Sequence, residues 1–545
     1  MEKTQVVIIG GGATGAGVLW DLALRGIPAV LLEKKDFANG ATGRCHGLLH
    51  SGGRYVVKDA EAAKECIGEN MVLKKVAAPC IHDTGGLFVH LPGDDPAYVQ
   101  QWADGCQRIG IPIQELSRDE ALNLEPNLPA DVLKAYTCPD AHVDVFQLTL
   151  ANIEAAVARG GRFRTYAEVT AIEIKNGQTT GVRFRDTNTG EEDFIACEIV
   201  INAAGGWAQQ IASLAGVEVS VRCDRGALLI FNHCVVSRVV NRCRKPGDAD
   251  IVVPCGPVCI LGTSSVTVPS PEGLTVPPEE VQHLLGLGKE LIPALGDARL
   301  LRIFTGARPL YVPKAAAGAG GREISRNFVL LDHGEIEGVK GFISIVGGKV
   351  TTYRLMAKAT VDLVCRKLNV DQPCSTDKVP LREPASAETL KQAHLMIPAA
   401  AVEKAHRRLG WRIAQLLDAI ESNPAAAEMV CECELVTRAE LDLVLGSAAP
   451  VPVNTIGDIG RRTRLGFGPC QGTFCGYKAM LAGYDKQRWS AAQASQLLET
   501  YLDDRWKGQA WVPDGKQAEQ LALSEHLFDT SYNFHHRSEV VCHER

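Results

Sequence analysis

The chain is 545 residues long, carries a net charge of −7, and is 46% hydrophobic and 22% charged. That length exceeds one ordinary core, so roughly two to four domains are expected, and the negative balance argues against nucleic acid as a partner. No run reaches the roughly 18 apolar residues of a membrane-spanning helix, and MEKTQVVIIGGG lacks the basic region, apolar core and cleavage site of a signal peptide.

Residues 5–9 (QVVII) read as a buried strand, Gly10 to Gly15 as a turn, Ala16 to Arg25 as a helix, and residues 28–32 (PAVLL) as a second strand ending at Glu33. This is a βαβ unit of about 30 residues. Gly10, Gly12 and Gly15 satisfy GxGxxG, with Ala13 and Thr14 between the last two. The first glycine permits the tight turn, the second lets the backbone approach a pyrophosphate, and the third lets helix and strand pack closely. The helix N-terminus then offers free N–H groups and a positive dipole end to the phosphates. Glu33 lies 18 residues past Gly15, where a carboxylate accepts from ribose hydroxyls. The turn alone does not separate FAD from NAD.

A Gly-rich stretch follows from Gly40 to Tyr55. Two more apolar strands, EIVINAAG at 198–205 and GFISIVGG at 341–348, end in small residues, and a helix is predicted from Thr351 to Leu368. Strands ending this way converge on one ligand at the carboxyl edge of a parallel sheet. Residues 76–140 and 216–330 would form a second domain over that ligand. Pro/Ala-rich sequence at 371–400 and 423–427 reads as connecting material, and KAAAGAGG at 314–321 as a low-complexity loop.

There are 18 cysteines. Without an export signal a reducing cytoplasm is expected, and most of them (Cys66, Cys106, Cys197, Cys365) read as buried small hydrophobes. Cys431 and Cys433 in VCECE and Cys470 and Cys475 in GPCQGTFCG differ: 36 residues, 434–469, separate the two pairs. Four thiolates so spaced can surround a soft metal or an iron–sulfur cluster. Structural zinc prefers CxxC knuckles, which the one-residue spacing of the first pair lacks. The basic run Arg461, Arg462, Arg464 just ahead either offsets cluster charge or is a solvated face. The tail after about residue 510, with Cys542 and four histidines, reads as a frayed terminus.

GGGATGAG at 10–17, ATGRCHGLLHSGGRY at 41–55, GARPL at 306–310 and GGKVTTYRLMA at 347–357 resemble the FAD-dependent glycerol-3-phosphate dehydrogenases, within the D-amino-acid-oxidase-like flavoproteins. With the cysteine segment, the combination resembles the large catalytic (A) subunits of the anaerobic enzymes. The resemblance implies an α/β fold: a Rossmann-like FAD-binding domain (1–75, 141–215, 331–370) with an inserted mixed-sheet substrate domain (76–140, 216–330). A linker and helical region (371–425), a small helical [2Fe–2S] ferredoxin-like domain (426–510) and a tail (511–545) follow. It implies FAD contacts from the Gly-rich turn, Glu33, Thr42, Gly43, Gly47, Leu48, Ala204, Gly205, Gly348, Lys349 and Thr351. For glycerol 3-phosphate it implies Arg54, Tyr55, Arg308 and Arg326. Arg54, Arg308 and Lys349 join His50 as catalytic candidates, with His50, or less strongly His46, as the base. All four cysteines would ligate a [2Fe–2S] cluster. Electrons would pass to companion subunits, including a membrane-anchoring iron–sulfur subunit, and on to menaquinone in anaerobic respiration. The chain itself would be cytoplasmic, attached peripherally to the inner face of the cell membrane through those partners. Two competing expectations are a flavin-dependent amino-acid or 2-hydroxy-acid dehydrogenase, and a redox-sensing cluster protein with a vestigial flavin site.

Overall fold

The computed structural model describes residues 2–312, 324, 326–512 and 515–534. The low-complexity loop at 314–321 and Cys542 lie outside the described residues.

Val6–Ile9 is short, wholly buried and rich in β-branched residues, and it centres a six-stranded sheet. The order runs Arg162–Arg164, Ala29–Leu32, Val6–Ile9, Ile199–Asn202, Phe342–Gly347, Phe328–Asp332, parallel except at the last pair. Alternation decides the two faces. Val6 and Ile8 join a core with the helices Ala13–Leu24, Val145–Val157 and Tyr353–Leu368. Val7 and Ile9 face a four-stranded sheet and the helix Ala208–Leu214. Covering on both faces is what a nearly continuous apolar strand requires.

A nine-stranded mixed sheet stands beside this layer. Its strands come from two stretches, Gly86–His90 through Lys134–Cys138 and Val221–Phe231 through Leu300–Tyr311. Val239–Arg242 pairs parallel to Gly86–His90 and joins the two stretches. The expected α/β architecture, with a mixed sheet and a helical C-terminal region, is the one the chain adopts.

Two expectations need correction in part. Within 371–425, read as linker and helical region, the connecting material stops at Ser386: Ala387–Met396 starts there, with the Ser386 side chain accepting from the Thr389 N–H, and Ala399–Leu409 follows. Alanine is the best helix former, so composition misled where a cap was present. The tail contains the helix Gly515–Tyr532 instead of fraying at residue 511. Phe528 packs on Trp506 with ring centroids 6.1 Å apart, and Arg299 Nε donates to Gln517 Oε1 at 2.6 Å.

Four histidines are built in uncharged. Burial, then neighbouring cations, lowers His46 and His50 to about 3; burial, then a neighbouring imidazole or arginine, lowers His82 and His142 to about 4. Below pH 6.5 the unfolded chain binds protons there that the folded chain refuses. Stability should therefore hold from pH 8 to 7. It should fall from about pH 6.5 toward 4, at about 1.4 kcal/mol per pH unit for each such imidazole. Thermal melts across this range will show it, and a flat profile from pH 7 to 5 would contradict it.

Candidate active site and thiol cluster

The βαβ turn closes because two glycines lack side chains. A Cβ at Gly10 would sit 2.6 Å from the Ala203 carbonyl oxygen, and one at Gly15 would sit 1.9 Å from the Gly10 carbonyl oxygen. Gly12 caps the helix Ala13–Leu24 without a side-chain hydrogen bond, and Ala13 N–H donates to Thr42 Oγ1 at 3.1 Å. This helix end opens into a cavity of about 2130 Å³, well above the roughly 300–1,000 Å³ of ordinary ligand pockets. Gly10, Gly12, Ala13, Thr14, Glu33, Thr42, Gly43, Gly47, Leu48, Ala204, Gly205, Gly348 and Lys349 all line it.

Gly15 and Thr351 do not line the cavity. Gly15 packs behind the turn. Thr351 is buried, and its Oγ1 accepts from His50 N–H at 3.0 Å, so it holds the histidine loop. Glu33 faces the cavity, but its two oxygens accept from Gly11 N–H (2.7 Å) and Lys35 N–H (2.9 Å). Its carboxylate thus ties the second strand to the glycine turn.

At the other end of the cavity, His50, Arg54, Tyr55, Arg308, Arg326 and Lys349 share one wall. Long-range pairing brings them together. Arg308 faces Asp224 across adjacent strands and donates from Nη1 to Asp224 Oδ2 at 2.8 Å. Its Nη2 donates to Thr263 Oγ1 and, at 3.3 Å, to the Ser264 carbonyl. Arg326 Nη2 stands 3.8 Å from the same Asp224 oxygen. Arg54 Nη2 donates to Asp250 Oδ2 at 3.1 Å, while Arg244 Nε takes the other oxygen at 2.9 Å. Lys349 Nζ lies 5.1 Å over the Tyr55 ring and donates to the Arg326 carbonyl at 3.1 Å. The Tyr55 and His50 rings are 5.7 Å apart. Buried Asp140 anchors the loop, accepting from Ser51 N–H at 2.5 Å and Asn241 Nδ2 at 3.0 Å.

The electrostatics follow. Burial, then Arg54, His46, Lys349 and Arg326, keeps the His50 imidazole neutral and disfavours its protonation. The arginines are held by carboxylates, Asp224 for Arg308 and Arg326 and Asp250 for Arg54, and guanidinium forks so held can take a compact anion. Asp224, Asp250, Asp140, Thr263 and Ser264 were not singled out in the sequence. Their only signal is alternation along the strands, which puts Asp224 on the same face as Gly226.

The cysteines lie away from this wall. Cys431 ends the strand Met429–Cys431, Cys475 opens the helix Cys475–Asp485, and all four are free thiols. They touch in a row. The Cys475 thiol bonds both Cys431 and Cys470, and Cys470 also meets Cys433. Backbone N–H groups of Glu434 and Gly466 donate to Cys431, those of Gly472 and Phe474 to Cys470, and that of Cys470 to Cys433. The Cys475 thiol, then those N–H groups, lowers Cys470 to about 5. Among the described residues no three such side chains are set around a single metal ion. Four free thiols with several N–H donors aimed at sulfur nonetheless fit the donor set of a four-thiolate cluster.

The basic run is not the solvated face that was one of the two roles expected of it. Arg461 Nε and Arg462 Nη2 bind Asp36 at 2.5 and 2.7 Å, and Arg464 Nη1 and Nη2 bind Asp144 and Glu434 at 2.9 and 3.1 Å. These arginines dock the cysteine region on the nucleotide-binding layer. Phe467, in the loop before Cys470, meets Phe146 edge to face at 5.2 Å, and Phe146 crowds Gly43 of the cavity wall.

A mostly parallel sheet with a glycine turn opening into a large cavity is the architecture of a dinucleotide-binding protein, and the family match makes it a flavin-dependent oxidoreductase. The family model described as FAD dependent oxidoreductase (DAO) matches residues 5–354. The chain is 41% identical over 550 residues to the A1 subunit of the anaerobic glycerol-3-phosphate dehydrogenase of Haloferax volcanii, covering 98% of this chain and 91% of that one. It is 42% identical over 518 residues to the A subunit of the Escherichia coli K12 enzyme of the same name, covering 93% of each. The chain belongs to the family of these A subunits. In fold it is similar to glycerol-3-phosphate dehydrogenase from Bacillus halodurans complexed with FAD. That likeness has a TM-score of 0.71 at 21% identity and covers 93% of this chain and 95% of that one. Glycine oxidase from Geobacillus kaustophilus gives 0.57 at 20% identity, over 71% and 100%.

Proposed function

We propose that this chain oxidises sn-glycerol 3-phosphate at C2 to dihydroxyacetone phosphate and passes the electrons on through a [2Fe–2S] cluster. The observation that carries this reading is the wall of Arg54, Arg308, Arg326 and Lys349 around a neutral His50, in a chain 41% identical to one from a glycerol-3-phosphate dehydrogenase. A phosphate dianion calls for several cations, whereas the carboxylate of an amino acid or 2-hydroxy acid needs one arginine.

Bound FAD, held along Gly10–Gly15, Thr42–Gly43 and Gly348, supplies the acceptor for the hydride from C2. Arg308 and Arg326 hold the phosphate and so orient C2. His50 accepts the C2 hydroxyl proton. The arriving dianion opposes the cations that depress His50, and so raises its basicity when substrate is bound. Lys349 keeps a positive charge beside Gly348, where negative charge develops on reduction. Cys431, Cys433, Cys470 and Cys475 would hold the cluster, whose one-electron chemistry would divide the two electrons of a hydride. The relatives are named as subunits, which supports companion subunits as the next carriers, one of them an iron–sulfur protein that anchors the assembly and delivers electrons to menaquinone. No described helix is long and apolar enough to cross a membrane, in keeping with peripheral attachment through such a partner on the cytoplasmic side.

The test is spectroscopic. The purified chain should show flavin bands over a broad iron–sulfur absorption, and glycerol 3-phosphate without oxygen should bleach the flavin. Bleaching by glycine or a 2-hydroxy acid instead would favour the competing dehydrogenase, and flavin that no substrate bleaches would favour a redox sensor. A Cys431→Ser change should remove the broad absorption while bleaching survives.

A further inference from the structure

Tyr501, on the helix Ala491–Ala510, is 6% exposed, yet its hydroxyl has no hydrogen-bond partner among the described residues. Buried hydroxyls are almost always paired, so an orphan calls for a reason. The surroundings show that the position is built. A Cβ at Gly466 would come within 1.9 Å of the Tyr501 oxygen, one at Gly472 within 2.1 Å, and one at Gly476 within 2.9 Å of the ring. Two glycines of the loop that carries Cys470, and Gly476 in the first turn of the helix Cys475–Asp485, thus make room for one phenol. The N–H groups of two of them already donate to thiols, Gly466 to Cys431 and Gly472 to Cys470. The orphan oxygen therefore sits beside donors that face two of the four sulfurs. Arg505 lies 5.1 Å over the Tyr501 ring, and Nε and Nη1 of Arg302 are buried without partners among the described residues. Arg302, Arg505, Tyr501 and Gln471 line the end of the large cavity nearest the thiols.

We infer that Tyr501 donates its hydroxyl hydrogen to a sulfur of the cluster held by Cys431, Cys433, Cys470 and Cys475, and so raises the potential at which that cluster accepts an electron. This rests on the [2Fe–2S] reading above. A phenol keeps its proton at neutral pH and can only satisfy it on an acceptor. Reduction adds negative charge to the sulfurs, so a donor stabilises the reduced form more than the oxidised one.

The test is a potentiometric titration of the complete flavin- and cluster-loaded chain, read by electron paramagnetic resonance. Tyr501→Phe should shift the cluster's reduction equilibrium about tenfold toward the oxidised form, about 59 mV for one electron. The flavin potential and its bleaching by glycerol 3-phosphate should not change. A 3-fluorotyrosine at 501, with a stronger donor hydroxyl, should move the potential the other way. An unchanged potential in Tyr501→Phe with normal iron content overturns the inference. If that variant loses iron, the fluorotyrosine protein decides, and no rise there overturns it. A wild-type chain without iron and sulfide overturns the cluster reading itself, and this inference with it.

Discussion

Replacing Arg308 by alanine is expected to raise the glycerol 3-phosphate concentration needed for half-maximal flavin reduction by two to three orders of magnitude. The guanidinium is fixed by Asp224, Thr263 and the Ser264 carbonyl, so it meets a phosphate already oriented. Hydrogen bonds to charged groups contribute about 1.5–3 kcal/mol each, and two lost together amount to about 3–4 kcal/mol after relaxation. Arg308→Lys should recover little, because a point charge replaces a planar fork. Among the described residues, the alanine change also leaves Asp224, whose side chain is 1% exposed, with only the distant Arg326 as an ion-pair partner. Some stability should be lost with affinity, and Asp224→Asn in the same background should restore the stability alone. Stopped-flow reduction at graded substrate separates binding from the chemical step. An unchanged half-saturation would remove Arg308 from the phosphate site.

The second large effect concerns the joint between the nucleotide-binding layer and the cysteine region. Burial pushes Asp36 up, but Arg462 and Arg461 outweigh it and hold it below its ordinary range. Asp36→Ala would leave Arg462 facing no carboxylate of the nucleotide-binding layer, and breaking a buried pair from one side costs about 3–5 kcal/mol. The expected result is an earlier, separate unfolding transition for the cysteine region. Substrate should still bleach the flavin, with slower electron delivery to the thiol site. Since the Asp36 contribution is present above pH 3.8 and lost as pH falls below it, the effect should be complete at pH 7. Identical melting curves for variant and parent would show that docking does not depend on this pair.

Much of the cavity's nucleotide end was legible because its code is local. A glycine turn between an apolar strand and a helix, and strands ending in Ala-Gly or Gly-Gly, specify themselves over a few residues. The cationic wall was legible only as single residues. What aims them is chain-distant: Asp224 for Arg308 and Asp250 for Arg54 become neighbours only through sheet register. The basic run shows the limit most plainly. Three arginines before a cysteine pair suggest a screen for charge or a solvated face, and neither idea can foresee carboxylates more than 300 positions upstream. Tyr501 carried no signal at all, because its meaning depends on three glycines outside its own helix.

The strand Leu300–Tyr311 carries Arg308 near one end. Near the other, Gly508 of the helix Ala491–Ala510 packs so closely that a Cβ there would lie 2.5 Å from the Ile303 carbonyl oxygen. A pleated strand neither stretches nor bends easily, and the six steps from Arg302 to Arg308 span about 20 Å. That strand is therefore a fixed strut between the cationic wall and the helix Ala491–Ala510, which packs in one core with Cys431 and Cys475. On the proposed function, oxidation at the wall and electron transfer at the thiols would proceed without either region swinging toward the other.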